Sequence, residues 1–352
     1  MNLLNTQIVK IDETNIDDSI MKEAGAVIKA GGLVAFPTET VYGLGGDALN
    51  GESSGKIYEA KGRPSDNPLI IHIAKMESLT KIVKNIPESA YTLAKAFWPG
   101  PLTMIFQKAD CVPRATTGGL VTVAVRMPSN PIALALIEAS GGYIAAPSAN
   151  LSGKPSPTEV KYVIEDLNGR VDLIIDGGDA KIGLESTIID LTSDCPMILR
   201  PGYITEEMLE KALGGVATDQ TILDSNSKEA PKAPGMKYRH YAPKGSLTIV
   251  EGSDEKVIPY INECIDKQKN HELKTGVIAT EETAGLYKAD SIKSVGKRKD
   301  EASIARHLFS ILREFDDEAI DVIFAESFEY HGIGQAIMNR LLKAAGHHVV
   351  KL

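Results

Sequence analysis

Residues 60–73 read "AKGRPSDNPLIIHI" and join the end of a predicted helix to the start of a buried strand. We predict the helix over residues 53–60, since Gly62 can end it, and the strand over the apolar run "PLIIHI". A helix that passes through a tight turn into an apolar strand is typical of an α/β domain. Lys61 and Arg63 flank the glycine of this turn, and two prolines stiffen the backbone around them.

The two cations of the turn allow two interpretations. Lys61 could simply lie at a helix C-terminus, where a cation is favourable by about 0.3–1 kcal/mol, with Arg63 as a surface residue. Alternatively the pair forms a phosphate site, because arginine offers a two-pronged fork to phosphate oxygens and lysine adds a point charge. The segment by itself leaves both interpretations open.

Helices and strands continue to alternate on both sides of this turn. Further helices are predicted over residues 16–30 and at about 78–97, 130–140 and 158–167. Further strands are predicted at "LVAF", "LTMIFQ", "VTVAVRM", "YIAAP", "DLIID", "STIIDL" and "MILRP". Adjacent strands are too numerous for simple βαβ repetition, so we predict a mixed α/β domain over residues 1–213.

The chain changes character after this domain. Residues 214–245 are polar and proline-rich, which predicts a linker. Over residues 246–352, strands at "SLTIV", "TGVIAT" and "AIDVIFAES" alternate with helices at about 254–268, 300–315 and 335–345. This alternation predicts a smaller, mostly parallel, Rossmann-like α/β domain.

Composition excludes several classes of protein. The 352 residues are 43% hydrophobic and 24% charged, with a formal net charge of −9, which argues against broad coating of nucleic acid. No apolar run reaches the roughly 18 residues of a membrane helix, and the acidic N-terminal stretch lacks an apolar signal core. The three cysteines are far apart and form no zinc or disulfide pattern. We therefore expect a cytoplasmic protein without a membrane segment.

A second arginine lies at the end of an apolar strand. Arg126 closes "VAVR", where a buried charge needs a partner. That partner is either the carboxylate or phosphate of a ligand or a structural Asp or Glu.

Hydroxyl and amide groups follow the strand "YIAAP". The segment "APSANLSGKPSPT" supplies Ser148, Asn150 and Ser156, which fit either a ligand site at a strand end or an ordinary loop. Ser186 opens another strand and Arg200 closes one. The cations at such positions favour an anion pocket when they are taken together: Lys61, Arg63, Arg126 and Arg200.

Familiar nucleotide motifs are weak or missing. No GxxxxGK[ST] occurs, so a P-loop is excluded. "GLGGDA" at residues 43–48 satisfies GxGxxA and "GIGQAI" at residues 332–337 half satisfies GxGxxG, but both are weak signals because neither clearly carries the acidic residue expected downstream. Two rival hypotheses remain: a non-catalytic module that binds duplex RNA or tRNA, and a dinucleotide-dependent oxidoreductase.

The motifs, read in order, resemble a known family. They are "FPTETVYGLG", "KGRPSDNPLIIHI", "WPGPLT", "VAVRMP", "APSANLSGKPSPT", "GLESTIIDL" and "ILRPG". They resemble the YrdC-like domain of threonylcarbamoyl-AMP synthases, a mixed α/β domain with a central cavity. "APGMKYRHYAP" is similar to the linker of the two-domain form, and "HGIGQAIMNR" is similar to part of its C-terminal domain.

The resemblance implies a reaction and its components. L-threonine, bicarbonate or CO₂, and ATP with Mg²⁺ would give threonylcarbamoyl-adenylate and pyrophosphate. A partner transferase would then place the threonylcarbamoyl group on tRNA, and direct contact with tRNA is left open. The resemblance identifies no metal ligands.

Motif matching also implies roles for individual residues. The implied ATP contacts are Lys61, Arg63, Asn67, Thr122, Ser148, Asn150, Ser156, Arg200, His240 and Tyr241. Lys61 and Arg63 would also neutralise charge as pyrophosphate leaves, and are the implied catalytic residues. The implied threonine contacts are Thr38, Thr40, His72, Arg126 and Ser186, with Arg126 taking the carboxylate. The aromatic and basic linker residues further predict a lid over the pocket.

Overall fold

The computed structural model describes residues 4–219 and 241–352, which divide into two compact units. The first unit comprises residues 4–152, 156–181 and 185–219 of the described chain. The second unit comprises residues 241–352 together with the short segments 153–155 and 182–184. None of the described helices combines the length and the apolar composition that crossing a bilayer requires.

The first unit contains strands and helices in mixed order. They are β1 (Gln7–Lys10), α1 (Asp18–Lys29), β2 (Val34–Phe36), β3 (Gly43–Asp47), α2 (Gly51–Lys61), β4 (Ile70–His72), α3 (Leu79–Ile82), α4 (Glu88–Phe97), β5 (Leu102–Gln107), β6 (Thr122–Arg126), α5 (Pro131–Ala139), β7 (Ile144–Ala146), α6 (Val160–Leu167), β8 (Leu173–Asp176), β9 (Thr187–Asp190), β10 (Met197–Arg200), α7 (Glu206–Leu213) and β11 (Ala217–Thr218). This is the mixed α/β architecture that the sequence predicts.

The described strands of this unit form one twisted, mixed sheet. Its order is β1-β8-β2-β3-β7-β4-β6-β5-β9-β10-β11. Core clusters cover both faces, as β2 shows: Ala35 belongs to one cluster, while Val34 and Phe36 belong to another. Alternate residues of a strand point to opposite faces, so both faces of the sheet are buried.

The helix α2 sets the direction of the turn that contains Lys61, Gly62 and Arg63. Asn50 caps its N-terminus by accepting a hydrogen bond from the backbone N–H of Glu52 at 2.9 Å. At its C-terminus Gly62 adopts a left-handed conformation with φ of 62°. The chain therefore leaves the helix abruptly between Lys61 and Arg63.

The second unit is a parallel α/β sheet, as predicted. Its elements are β12 (Ser246–Glu251), α8 (Asp254–Lys269), β13 (Thr275–Ala279), β14 (Ser291–Ser294), α9 (Glu301–Asp317), β15 (Val322–Glu326), α10 (Gly332–Ala344) and β16 (Val349–Lys351). All four strand pairings of the order β14-β13-β15-β12-β16 are parallel. Such a sheet needs a crossover after each strand, and the helices α8, α9 and α10 provide three of them.

One predicted helix is wrong in its extent. The helix expected at about 78–97 is interrupted: α3 ends at Ile82, and α4 starts only at Glu88. Val83 instead forms a β-bridge with Lys108, and Pro87 precedes α4. Proline has no N–H to donate within a helix, so it fits this start and not a helix interior.

Neither glycine-rich stretch is a dinucleotide fingerprint. "GLGGD" is the strand β3, not a strand-to-helix turn, and a Cβ at Gly45 would lie 2.7 Å from the Ile144 side chain. "GIGQAI" opens α10, where the Glu301 carboxylate already accepts the Ile333 N–H at 3.0 Å. A carboxylate at that helix N-terminus leaves no place there for a pyrophosphate.

Candidate active site

Three neighbouring strands bring polar side chains to one level of the first unit's sheet. In the register of β4 with β6, His72 pairs with Arg126. In the register of β6 with β5, Arg126 pairs with Thr103. The three side chains are buried, at 4%, 4% and 0% relative exposure. Buried polar groups at this density require partners, and these are found in the loops beside the strands.

Arg126 is held by the loop after β2. Its Nη1 donates to Thr40 Oγ1 at 2.9 Å, and Thr40 Oγ1 lies 2.9 Å from Thr38 Oγ1. Its Nη2 lies 2.7 Å from Glu39 Oε1, so the two side chains form a buried ion pair. Of the two partners that the sequence allows for Arg126, the structure shows the structural carboxylate.

The Arg126–Glu39 pair is close but poorly aligned. Within the described chain, Nε and Nη2 of Arg126 and both carboxylate oxygens of Glu39 have no hydrogen-bond partner of acceptable geometry. The 2.7 Å separation therefore reflects charge attraction without a directed hydrogen bond. Nε and Nη2 form the side-on fork with which arginine binds carboxylates, so this face is suited to an anionic ligand.

His72 is a neutral imidazole in this setting. Its Nδ1 donates to the carbonyl oxygen of Ile70 at 3.1 Å, and its ring meets Phe36 edge-on. Burial, together with the nearby Arg126 charge, lowers the pKa of His72 to about 3. Its strand neighbours Ile71 and Ile73 belong to the apolar core, as their alternation with His72 predicts.

Lys61 is buried beneath the loop that follows β7. Its Nζ donates to the carbonyl oxygens of Ser148, at 2.5 Å, and Asn150. Ser148 Oγ in turn donates to Asn150 Oδ1 at 2.5 Å. With 2% exposure, Lys61 is not a solvated helix-end cation, and the interpretation of this turn as a surface feature is wrong. Carbonyl oxygens orient the ammonium group without neutralising its charge.

Arg63 is also buried and organises its own turn. Its Nε donates to the carbonyl oxygen of Asn67 at 3.1 Å, and its Nη2 donates to that of Pro68 at 3.0 Å. Asn67 is 1% exposed, and both atoms of its side-chain amide lack a partner among the described residues. A buried amide with no protein partner is a candidate ligand contact.

A second group of polar residues joins the sheet from β9 and β10. Arg200 donates from Nε to the Ser186 carbonyl oxygen at 3.0 Å and from Nη2 to Ser186 Oγ at 3.1 Å. Ser186 Oγ lies 2.7 Å from Thr103 Oγ1, which connects this group to the level of Arg126. Of the predicted threonine contacts, Thr38, Thr40 and Arg126 are thus joined by hydrogen bonds, while His72 and the Thr103 partner of Ser186 pair with Arg126 in the strand register.

Two predicted residues lie away from these contacts, and a third cannot be placed among them because it lies outside the described residues. Thr122 is half-buried at the start of β6, opposite Gln107. Tyr241 is buried, with its ring centroid 5.0 Å from that of Phe309 inside the second unit. His240 lies outside the described residues.

The sequence analysis does not single out Glu39, Thr103 or Glu185. Glu39 pairs with Arg126, Thr103 contacts Ser186, and Glu185 accepts a hydrogen bond from Ser156 at 2.6 Å. One signal was present for Glu39, since it lies between two threonines in "FPTETVYG". No signal in the sequence indicated Thr103 in "LTMIF", because only strand pairing places this residue beside Arg126.

Two family models match the chain. One, described as "Telomere recombination", matches residues 26–202. The other, described as the C-terminal domain of threonylcarbamoyl-AMP synthase, matches residues 204–346. Together they account for most of both units.

Named relatives and a solved structure are similar over nearly the whole chain. A threonylcarbamoyl-AMP synthase of Bacillus subtilis is 50% identical over 341 residues, which cover 97% of each chain. One of Pyrococcus abyssi is 51% identical over 347 residues, covering 99% of this chain and 100% of the relative. The crystal structure of Pyrococcus abyssi Sua5 complexed with L-threonine has a TM-score of 0.93 at 50% identity, and covers 99% of this chain and 100% of that one.

Proposed function

The chain belongs to the threonylcarbamoyl-AMP synthase family, and we propose that it joins L-threonine, bicarbonate or CO₂, and ATP into L-threonylcarbamoyl-adenylate with release of pyrophosphate. The observation that carries the proposal is the buried Arg126, whose Nε–Nη2 fork has no aligned partner among the described residues and whose Nη1 donates to the Thr40 hydroxyl. This is a site for a small carboxylate that also carries hydrogen-bonding groups.

The threonine half of the site surrounds Arg126. Arg126 binds the substrate carboxylate through its fork, while Thr40 holds the opposite edge of the guanidinium. Thr38 fixes Thr40 and also donates to the carbonyl oxygen of Val41 at 2.6 Å, so the loop is rigid. His72 and Ser186 contribute uncharged hydrogen-bonding groups, and the neutral imidazole adds no charge that would repel the substrate ammonium group.

The ATP half comprises the residues around Lys61. Lys61 and Arg63 hold the triphosphate, and the Asn67 amide is the group without a protein partner that nucleotide atoms would meet. Further proposed ATP contacts within the first unit are Thr122, Ser148, Asn150, Ser156 and Arg200. Lys61 and Arg63 then stabilise the charge that develops as pyrophosphate leaves.

The chemistry requires no nucleophile from the protein. The threonine nitrogen attacks the carbon of bicarbonate or CO₂, and the resulting carbamate oxygen attacks the α-phosphorus of ATP. Both steps need reactants held in line and phosphate charge stabilised, which cations and hydroxyls on a rigid sheet provide.

Magnesium fits this site only as an ion carried on ATP. In the described chain no group of three or more His, Cys, Asp or Glu side chains lies close enough to hold a metal. Mg²⁺ commonly binds through phosphate oxygens, waters and at most two carboxylates, so this arrangement is compatible with it. When bound, the ion would neutralise part of the triphosphate charge.

The reactivity of the product indicates which kind of partner enzyme must use it. A mixed anhydride of a carbamate and AMP hydrolyses readily, so we propose that a cytoplasmic transferase consumes it to modify tRNA. A non-catalytic module for duplex RNA is disfavoured, because the four cations of the site are all buried, at 2–9% exposure. Duplex RNA is bound through phosphates and hydroxyls on its outside, which such side chains do not reach.

Pyrophosphate release measured with each substrate omitted in turn tests the proposal. ATP should yield pyrophosphate and an adenylate of threonylcarbamate only when threonine and bicarbonate are both present. Mass spectrometry of the product identifies the adenylate directly. Equal pyrophosphate release without threonine would mean a simple nucleotide hydrolase and would overturn the proposal.

A further inference from the structure

Glu39 is a buried carboxylate with one evident electrostatic partner. It is 6% exposed, and both of its oxygens lack an aligned hydrogen bond within the described chain. The cation beside it is Arg126, with Nη2 2.7 Å from Oε1. Nη1 of Arg126 donates to Thr40 and is not part of the side-on fork. Glu39 contacts only Nη2 of that fork, and Nε has no aligned partner among the described residues.

A substrate carboxylate has an advantage over Glu39 on this fork. It can accept from Nε and Nη2 at once, whereas Glu39 reaches only Nη2 and without hydrogen-bond alignment. Threonine binding would therefore displace the Glu39 carboxylate from Arg126. A displaced carboxylate in a buried site needs another cation or a proton.

The substrate itself brings that cation. In an α-amino acid the ammonium group is one carbon away from the carboxylate, so binding at Arg126 places it beside the displaced Glu39. The ammonium group must lose protons before its nitrogen can attack carbon. His72, which pairs with Arg126 in the strand register, is a neutral imidazole whose lone pair is a weak proton acceptor here.

We propose, on the basis of the function proposed above, that Glu39 is the catalytic base that accepts a proton from the ammonium group of bound threonine. For bicarbonate, the nitrogen lone pair forms the N–C bond while the C–OH bond breaks. One ammonium proton leaves with that hydroxide as water, and a second passes to Glu39. Threonine ammonium, bicarbonate and the Glu39 carboxylate thus give the carbamate anion, water and the protonated Glu39 carboxyl.

The principal test is Glu39→Gln, which keeps the shape of the side chain but removes its proton-accepting charge. At pH 7 we expect threonine-dependent pyrophosphate release to fall by about 10²- to 10⁴-fold. L-threonine affinity, measured by calorimetry, should stay within a few-fold of the parent, because two effects oppose each other: the variant loses the attraction between Glu39 and the ammonium group, and it also loses the carboxylate that competes for Arg126. The rate of the variant should also rise about tenfold per pH unit above pH 7, as the fraction of unprotonated amine grows. The parent should show a flatter profile.

A second variant separates a base from a structural residue. Glu39→Asp keeps a proton acceptor and should retain the pH profile of the parent at a reduced rate. A steep profile in Glu39→Asp, or a Glu39→Gln variant within threefold of the parent at pH 7, would overturn the proposal. The parent is measured first, since release without threonine would refute the proposed function rather than the role of Glu39.

Discussion

At the residue scale, the buried cations are the defining feature of the site. Lys61 and Arg63 both donate to backbone carbonyl oxygens, which help to fix their positions. Arg126 contacts the Glu39 carboxylate. Under the proposed function, Lys61 and Arg63 would stabilise phosphate charge, and Arg126 would exchange one carboxylate for another.

The first prediction concerns Arg63→Ala. The variant loses charge-assisted hydrogen bonds of about 1.5–3 kcal/mol, so pyrophosphate release should fall roughly 10- to 150-fold. Because Arg63 is buried and bonds two carbonyl oxygens, the free energy of unfolding should fall as well, by about 1–3 kcal/mol. Arg114→Ala is the matched control, since Arg114 is an exposed arginine of the same unit. Similar rates in both variants would place the phosphates elsewhere.

The second prediction concerns His72 and acid stability. Its pKa is lowered to about 3 from an ordinary value of 6.5, so between these values the unfolded chain binds a proton that the folded protein does not. The free energy of unfolding should therefore fall as pH falls through this window, by up to about 1.4 kcal/mol per pH unit from this residue. Above pH 6.5 His72 should contribute no pH dependence.

Urea unfolding at pH 7, 6 and 5 checks this prediction. His72→Asn should show a shallower dependence on pH than the parent. His331→Asn, which changes an exposed imidazole, should leave the slope unchanged. An identical slope in the parent and in His72→Asn would mean that His72 is protonated in the folded state.

At the element scale, the end of α2 determines where the two site cations point. The left-handed Gly62 ends the helix between Lys61 and Arg63, so Lys61 turns toward the loop at Ser148 while Arg63 folds onto its own turn. A residue with a Cβ would resist this backbone conformation. The positions of Lys61 and Arg63, the proposed phosphate contacts, therefore depend on one glycine.

The third prediction compares two glycines of this segment. Gly62→Ala should lower the free energy of unfolding by about 1–2 kcal/mol, because φ is +62° there, and should raise the KM for ATP. Gly55→Ala lies within α2 with nothing within 4 Å of the added Cβ, so it should raise the free energy of unfolding by about 1 kcal/mol with an unchanged KM. Equal effects on stability would contradict the role assigned to Gly62.

Elements with a clear apolar pattern were predictable from the sequence, and others were not. Strands such as β5 and β6 coincide with apolar runs of β-branched and aromatic residues. The strand β3 could not be recognised in this way, because glycines dominate it. Its glycines allow close packing against Phe36 and Ile144, which is a tertiary cause.

The sequence predicted which cations belong to the site, but not which residues these cations contact. Arg126 and Lys61 follow from charges at the ends of apolar segments. Their contacts with Glu39 and with the Ser148 loop join residues about 87 positions apart, and only the sheet order sets them. The positions of the charges in the sequence therefore indicated which cations are buried at the ends of helices and strands, but not which residues they contact.

At the scale of the whole molecule, net charge and site charge are opposite. The chain carries −9 overall, yet its site cations are buried in the first unit. An acidic total charge is therefore compatible with the proposed binding of anions, because the cations of the site do not belong to the surface. The second unit also includes the short segments 153–155 and 182–184. Within this unit, Arg313 donates a hydrogen bond to the Pro155 carbonyl oxygen at 2.7 Å.

The last prediction concerns the segment between the units. Residues 236–240 carry "MKYRH", and a plain tether would not need these aromatic and basic groups. These residues lie outside the described part of the chain, and from their sequence alone we predict that they shield the adenylate, since a product that hydrolyses readily requires exclusion of water. Replacing residues 236–240 with a Gly/Ser stretch of equal length, with the buried Tyr241 retained, should lower the yield of adenylate per pyrophosphate released.

A control within the same segment makes this measurement specific. Residues 225–229, "SNSKE", are polar and lack aromatic groups, so their replacement by Gly/Ser should leave the yield unchanged. Thermal unfolding of both variants should match that of the parent, because neither change touches a described core residue. A lower yield confined to the 236–240 variant supports shielding, since only that stretch has side chains able to cover a nucleotide. Equal yields in the two variants would mean that residues 236–240 only connect the units. The hydrolysable adenylate would then have to be protected by the sheet and loops of the first unit alone.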